Sequence, residues 1–117
     1  HGEMVFQALE AAGELEKEGI GVAVIDMYSI KPIDKELILK TAGETDNILV
    51  LEDHLMDGGL ASAMADVFVD SGVCPKNFKR LGIPQIYAGF GSGEEQHTKY
   101  GYDKEATKAA VKKMVKK

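Results

Sequence analysis

Apolar residues along the chain follow two alternating spacings. Recurrence every three to four positions predicts helices over 3–18, 35–42, 60–71 and 94–100, and a last helix after Asp103. Short apolar runs predict strands over 22–28, from Asn47 onward, and over 78–83. Asp34 and Asp103 are expected N-caps, and Gly19, Gly72 and Gly101 are expected helix stops.

The order of these elements predicts the fold class. Strands that alternate with helices indicate an α/β fold: a mostly parallel sheet with right-handed crossovers and helices on both faces, in three α/β/α layers. The 117 residues fit one domain, residues 1–117. Three strands are few for so many helices, so we expect a strand upstream, or a neighbouring segment, to complete the sheet.

The segment from Asn47 to Leu60 is the centre of this arrangement. Ile48 to Leu51 is an unbroken apolar run, as expected of a strand buried on both faces, and polar residues and glycines follow it directly. The carboxyl ends of strands in open α/β sheets carry ligand or partner contacts. The predicted contact edge comprises Glu52, Asp53, His54, Gly58 and Gly59.

The contact edge also raises the question of a metal or acid–base site. Glu52, Asp53 and His54 are consecutive, so in an extended chain their side chains alternate in direction and do not converge on one ion without a turn. A satisfied histidine at a loop edge is therefore favoured over a ligand or catalytic residue. His97 is expected on the surface of its short helix.

The glycine-rich segment from Gly89 to Gly93 is the other candidate site, because its amides could face an anion before a helix. Glu94 and Glu95 in the first turn of that helix would repel a phosphate, and neither a G-x-G-x-x-G fingerprint nor a Walker lysine is present. Taken alone, the residues predict no catalytic, cofactor-binding or metal-binding group.

Charge and cysteine content narrow the setting. The net charge of −5 argues against a nucleic-acid surface, and the C-terminal lysines suit a solvated helix end that complements the macrodipole. Cys74 is alone, which favours a reducing compartment. No apolar stretch reaches the roughly 20 residues of a membrane span, so we expect a cytoplasmic protein without membrane contact.

Three segments together resemble the C-terminal domain of transketolase. They are the run from Ile25 to Asp34 (IDMYSIKPID), the strand end Val50 to His54 with Gly58-Gly59-Leu60 after it, and Phe90-Gly91-Ser92-Gly93 with Lys99-Tyr100-Gly101 beyond. The related domains of deoxyxylulose-phosphate synthase and of the 2-oxoacid dehydrogenase β subunit share the strand-Glu and Gly-Gly portion. The Phe-Gly-Ser-Gly segment looks more like transketolase.

The resemblance implies a non-catalytic assembly domain. Transketolases use thiamine diphosphate and a divalent metal (Mg²⁺ or Ca²⁺) to move two-carbon ketol units between sugar phosphates, as dimers or split-subunit assemblies. Their other domains hold the cofactor, so no cofactor, metal or catalytic residue is carried onto this chain. The implied partners are the remaining domains or a split N-terminal subunit, within a homodimer of the full enzyme.

Two departures from the family pattern follow. The family has an antiparallel strand and then a central strand ahead of the first helix, with the central strand between the strands that start at Val22 and Asn47. The resemblance therefore implies that this chain lacks N-terminal strands. The loop from Phe90 to Gly93 is also shorter than is common in the family.

Two other functions stay open at this point. One is a docking domain of a 2-oxoacid dehydrogenase β subunit, or the corresponding domain of deoxyxylulose-phosphate synthase. The other is a stand-alone domain that binds a small molecule at the loop from Gly89 to Gly93.

Overall fold

The computed structural model describes residues 2–116, which form five helices and two strands. In chain order they are α1 (Met4–Lys17), α2 (Lys35–Glu44), β1 (Asn47–Leu55), α3 (Leu60–Ser71), β2 (Asn77–Ile83), α4 (Gly93–Tyr100) and α5 (Lys104–Val115). The helices predicted from apolar spacing are all present, and their bounds lie within two residues of the predicted ones. Two predicted strands, from Asn47 and over 78–83, are also confirmed.

The predicted N-caps are confirmed by their hydrogen bonds. The Asp34 carboxylate accepts from the Leu37 amide at 3.0 Å, and the Asp103 carboxylate accepts from the Ala106 amide at 2.8 Å. Each bond satisfies one amide that the first helical turn leaves without an intrahelical partner. These local rules therefore fix where α2 and α5 begin.

The prediction of a strand over 22–28 is wrong. Residues 20–29 run between α1 and α2 with no assigned strand, and the sheet in the described residues has two strands rather than three. A strand is stabilised by ladder hydrogen bonds, and among residues 2–116 none joins this segment to β1. High β-propensity in this run is thus not sufficient to form a strand.

β1 and β2 pair in parallel, from Asn47 opposite Asn77 to Leu51 opposite Leu81. The register then shifts, and Leu55 lies opposite Ile83. The four residue steps from Leu51 to Leu55 face only two on β2, so β1 bulges out of the ladder. The bulge contains the three polar residues of the predicted contact edge.

Successive side chains of β1 point to opposite faces of the sheet and join two separate apolar clusters. Ile48 and Val50 lie in the larger cluster with α2 and α3. Leu51, with Leu49 packed beside it, lies in the smaller cluster with Met4 of α1. Helices therefore cover both faces of the sheet, as the α/β prediction required.

The buried face of α1 is narrow. Met4, Ala11 and Leu15 are buried, whereas Leu9 is about half exposed. On α5 the buried residues are Thr107, Ala110 and Met114. These faces are set by the contact between α1 and α5, which sequence spacing alone does not specify.

Ion pairs join α1 to α5. Lys104 lies 2.8 Å and Lys108 2.5 Å from the Glu14 carboxylate, and Lys112 lies 2.6 Å from that of Glu18. Hydrogen bonds from the two lysines hold the pKa of Glu14 down at about 2. Three of the C-terminal lysines, Lys104, Lys108 and Lys112, therefore pair with carboxylates at the end of α1, whereas we expected these lysines to be solvated.

Candidate functional site

Glu52 is the best-buried polar group of the predicted contact edge. Its side chain is 0% exposed, yet it lies at the bulge of β1. One carboxylate oxygen accepts a hydrogen bond from the Leu60 amide, and the other accepts from the Ala61 amide at 3.2 Å. Both donors belong to the first turn of α3, whose own cap residue, Gly59, has no side chain to offer. The Glu52 carboxylate thus caps the N-terminus of α3 from the preceding strand.

Gly59 makes this contact possible. A Cβ atom at residue 59 would overlap the Glu52 carboxylate and the ring of His54. Gly58, just before it, has a φ of 81°, in the left-handed region that favours glycine. The Gly-Gly pair therefore lets the chain turn sharply and bring the start of α3 against Glu52.

His54 lies on the same side of β1 as Glu52, two residues further on. Its Nε2 atom is 3.1 Å from the Glu52 carboxylate, and its Nδ1 atom is 2.6 Å from the Leu55 carbonyl oxygen. A carbonyl oxygen can only accept, so this contact is a hydrogen bond in the tautomer that has its proton on Nδ1. The interpretation of His54 as a satisfied histidine at the loop edge agrees with these contacts.

Asp53 points away from Glu52 and binds two residues that sequence reasoning did not connect with it. One of its oxygens accepts from the Tyr102 hydroxyl at 3.0 Å and lies 2.9 Å from His97 Nε2. The rings of His97 and Tyr102 are also in contact, with centroids 4.8 Å apart. Burial, followed by the hydrogen bond to Asp53, raises the pKa of Tyr102.

The prediction that His97 is a surface residue is wrong. Its ring is 3% exposed, because α4 lays that side against the end of β1. The Nδ1 atom is buried without a hydrogen-bond partner in residues 2–116. One available signal was the alternation of Glu52 and Asp53, which places the Asp53 side chain on the face opposite α3.

The helix start after the glycine-rich loop is already occupied by side chains. Ser92 and Glu95 form a capping box: the Glu95 carboxylate accepts from the Ser92 amide at 2.7 Å, and the Ser92 hydroxyl accepts from the Glu95 amide at 3.3 Å. The hydrogen bond from the Ser92 amide lowers the pKa of Glu95. This agrees with the argument that an acidic first turn disfavours a phosphate at Gly89 to Gly93.

The contact edge is thus built as a junction between layers. Glu52 holds α3 on one face of the sheet, and Asp53 holds α4 and Tyr102 on the other. Among residues 2–116, no three or more His, Cys, Asp or Glu side chains are grouped as metal ligands would be. None of the described helices is long and apolar enough to cross a membrane.

The fold and the strand-to-helix junction define the protein as an α/β domain, and sequence comparison gives its family. Residues 1–107 match the family described as "Transketolase, C-terminal domain", so the chain belongs to that family. The resemblance stated from the three sequence segments is confirmed.

Two relatives place the chain within the family. It is 35% identical over 113 residues to "1-deoxy-D-xylulose-5-phosphate synthase 2" of Geobacter sulfurreducens, covering 97% of this chain and 18% of that protein. It is 35% identical over 116 residues to "Putative transketolase C-terminal section" of Methanocaldococcus jannaschii, covering 99% of this chain and 35% of that protein. The chain thus spans well under half the length of these relatives.

A solved structure confirms the fold. "Split gene transketolase, inactive beta4 tetramer" superposes with a TM-score of 0.83 at 38% identity, covering 94% of this chain and 35% of that one. At this identity and coverage, the α/β fold predicted from the alternating elements is that of the transketolase C-terminal domain.

Proposed function

We propose that residues 1–117 are one domain, the non-catalytic C-terminal assembly domain of a transketolase that moves two-carbon ketol units between sugar phosphates. The observation that carries the proposal is the use of the contact edge. The buried carboxylate of Glu52 and the paired carboxylate of Asp53 are engaged in holding helices, which is a structural role rather than a catalytic one. The relative named "Putative transketolase C-terminal section" supports the assignment.

Thiamine diphosphate and a divalent metal are the cofactors that this function requires, and the described residues do not fit them. The helix start most suited to a diphosphate is capped by Glu95, and the described acidic residues include no metal-ligand group. We therefore place both cofactors in other domains of the full enzyme.

Titration calorimetry tests this placement directly. Thiamine diphosphate with Mg²⁺ is titrated into the isolated chain and, as a positive control, into the assembled enzyme. We expect heat of binding only with the assembly. Stoichiometric, metal-dependent binding to the isolated chain would refute the placement.

The proposed partners are the remaining transketolase domains or a split N-terminal subunit, within a homodimer of the full enzyme. The similar solved structure is that of a split-gene transketolase, which supports a separate partner subunit. The accessible part of the contact edge is Asp53, His54 and Gly58, whereas Glu52 and Gly59 are buried. We propose that the accessible part faces the partner.

Hydrogen exchange on the complex tests the contact edge. Amides of residues 53–58 should slow when the cofactor-binding partner is added, while amides at Glu18 and Gly19, in the exposed turn after α1, serve as the control. A formed complex in which residues 53–58 exchange as fast as before would place the interface elsewhere.

A second candidate activity follows from the relatives. A protein named as a deoxyxylulose-phosphate synthase is 35% identical over nearly the whole chain, so the parent enzyme could instead form 1-deoxy-D-xylulose 5-phosphate. Assaying the assembled enzyme for that product, and for ketol exchange between two sugar phosphates, separates the two activities. The transketolase proposal requires exchange and fails if only the deoxy sugar is formed. The exposed free thiol of Cys74 supports a cytoplasmic location for either enzyme.

A further inference from the structure

The loop between β2 and α4, residues 84–92, exposes large apolar side chains. Tyr87 and Phe90 are fully exposed, at 103% and 107%, and Ile86 is 50% exposed. Residues 81–93 also contain no Asp, Glu, Lys or Arg, whereas 28% of the chain is charged. Aromatic side chains without charged neighbours are typical of the core of a protein–protein interface. Single exposed apolar residues are ordinary, but three within five positions form a patch.

Two side chains of α4 hold the backbone of this loop at Gly89, between the two aromatic residues. The Gly89 amide donates to the Tyr100 hydroxyl at 3.0 Å, and the Gln96 side-chain amide donates to the Gly89 carbonyl. The loop then enters α4 through the capping box at Ser92. The aromatic side chains therefore project from a backbone that is already ordered, which lowers the entropy cost of binding a partner.

The loop lies beside the contact edge. It begins directly after Ile83, whose carbonyl accepts from the Met56 amide at 2.8 Å, and the parallel strands β1 and β2 both end here. The neighbouring α4 residues Gln96 and His97 bind the loop and Asp53, respectively. The loop and the contact edge therefore form one continuous surface at the carboxyl ends of the strands.

We propose that residues 84–92 form a docking loop whose Tyr87 and Phe90 side chains insert into an apolar pocket of the cofactor-binding partner, the polypeptide that carries the thiamine diphosphate site in the assembled enzyme. This role rests on the proposed function, which supplies the partner. The pocket is lined by uncharged side chains, because residues 81–93 offer no charge to pair with them, and it has a polar group within reach of the Tyr87 hydroxyl.

The size and position of the docking loop favour this occupant over a second copy of the chain. Two aromatic side chains bury about 150–250 Å² each, so a symmetric dimer through two such loops buries about 600–1,000 Å², below the roughly 1,200 Å² of a stable interface. Together with the contact edge beside it, the loop offers a larger surface to one partner. This chain covers 18% and 35% of two relatives, so proteins of this family have further polypeptide that could form the pocket.

Titration calorimetry with the purified cofactor-binding partner tests the docking loop. The test variant combines Tyr87→Ser and Phe90→Ser, which remove both rings from fully exposed positions and should leave the circular dichroism spectrum unchanged. Tyr87→Phe with Phe90→Leu is the conservative variant, because it keeps apolar side chains at both positions. Val69→Ser is the matched control, since Val69 is 80% exposed near the end of α3, which leads to the start of β2 at the opposite end of the sheet.

We expect the serine variant to bind the partner at least about 100-fold more weakly, because buried aromatic residues dominate the binding energy of interfaces. The conservative variant should stay within about 10-fold of the unsubstituted chain, and Val69→Ser within about 2-fold. Recovery of affinity by the conservative variant would show that apolar contact, rather than the loop backbone, was lost in the serine variant.

Three outcomes would overturn the proposal. Equal affinity of the serine variant and the unsubstituted chain, with residues 53–58 still protected in the complex, would remove the docking role and leave the proposed function standing. A lack of binding by the unsubstituted chain would remove the proposed partner, and the docking role with it. Dimerisation of the chain alone that the serine variant abolishes, at unchanged affinity for the partner, would assign the loop to a second copy.

Discussion

The buried carboxylate of Glu52 allows a quantitative test of how β1 holds α3. Glu52→Gln keeps the size and one acceptor oxygen of the side chain but removes its charge. In the unsubstituted protein, the two Glu52 oxygens accept from the Leu60 and Ala61 amides, and the side chain is fully buried. In the variant an NH₂ group faces one of these amides, so a buried N–H loses its acceptor.

Two terms set the size of the effect. A hydrogen bond to a charged group contributes about 1.5–3 kcal/mol, and a carboxylate at a helix N-terminus adds about 0.3–2 kcal/mol. We expect Glu52→Gln to lower the free energy of unfolding by about 3 kcal/mol. A chain of 117 residues has roughly 6–18 kcal/mol in total, so the variant should remain folded.

Urea unfolding followed by circular dichroism measures this loss at pH 7. With a slope of about 2 kcal/mol per molar urea, the midpoint should fall by about 1.5 M. Glu16→Gln is the matched control, because Glu16 is exposed on α1, and its effect should stay within about 0.5 kcal/mol. A loss at Glu52 below about 1 kcal/mol, or no larger than at Glu16, would refute the capping role.

Three further substitutions test neighbouring features. Gly59→Ala should destabilise the protein by about 2–4 kcal/mol in urea unfolding, because the added methyl group overlaps the capping carboxylate. Gly13→Ala is the control, since residue 13 lies in open space within α1, and it should stabilise the protein by about 0.5–1 kcal/mol. Equal effects of the two substitutions would contradict the close approach at Gly59. Glu14→Gln should lower stability at pH 7 but not at pH 2: the folded pKa, about 2, lies below the unfolded value of 4.5, so the contribution is present above about 4.5 and is lost as pH falls toward 2. Thermal unfolding of both proteins across that range checks this, and a stability difference that does not shrink with acid would count against it. Tyr102→Phe should lower the free energy of unfolding by about 1–2 kcal/mol, because the hydrogen bond to the Asp53 carboxylate is lost. Tyr28→Phe, at an exposed side chain, should be neutral in the same urea assay. A neutral result at both sites would mean that the buried hydroxyl contributes nothing to stability.

Features governed by local rules could be predicted from the sequence. Helix starts at Asp34 and Asp103 and the stop at Gly72 follow from contacts within a few residues, and the structure has them where expected. The capping box after Ser92 has the same character. The family could also be identified, since three spaced segments are far more specific than any one motif.

Features that depend on distant partners could not be predicted from local pattern. The run over 22–28 has strong β-propensity but lacks a ladder partner in the described residues, so it forms no strand. His97 sits among charged residues, yet its ring is buried by a contact with Asp53, 44 positions earlier. Only the assembled sheet brings these groups together.

The consecutive position of Glu52 and Asp53 explains both what the contact edge lacks and what it does. Neighbouring residues of a strand point to opposite faces, so the two carboxylates do not share an ion. The same geometry lets one short stretch of β1 bind the amides of α3 on one face and the side chains of His97 and Tyr102 on the other. Each carboxylate is tied to a different helix layer, and any movement of this stretch would disturb both. A strand end built in this way ties the two helix layers to each other through one pair of adjacent residues.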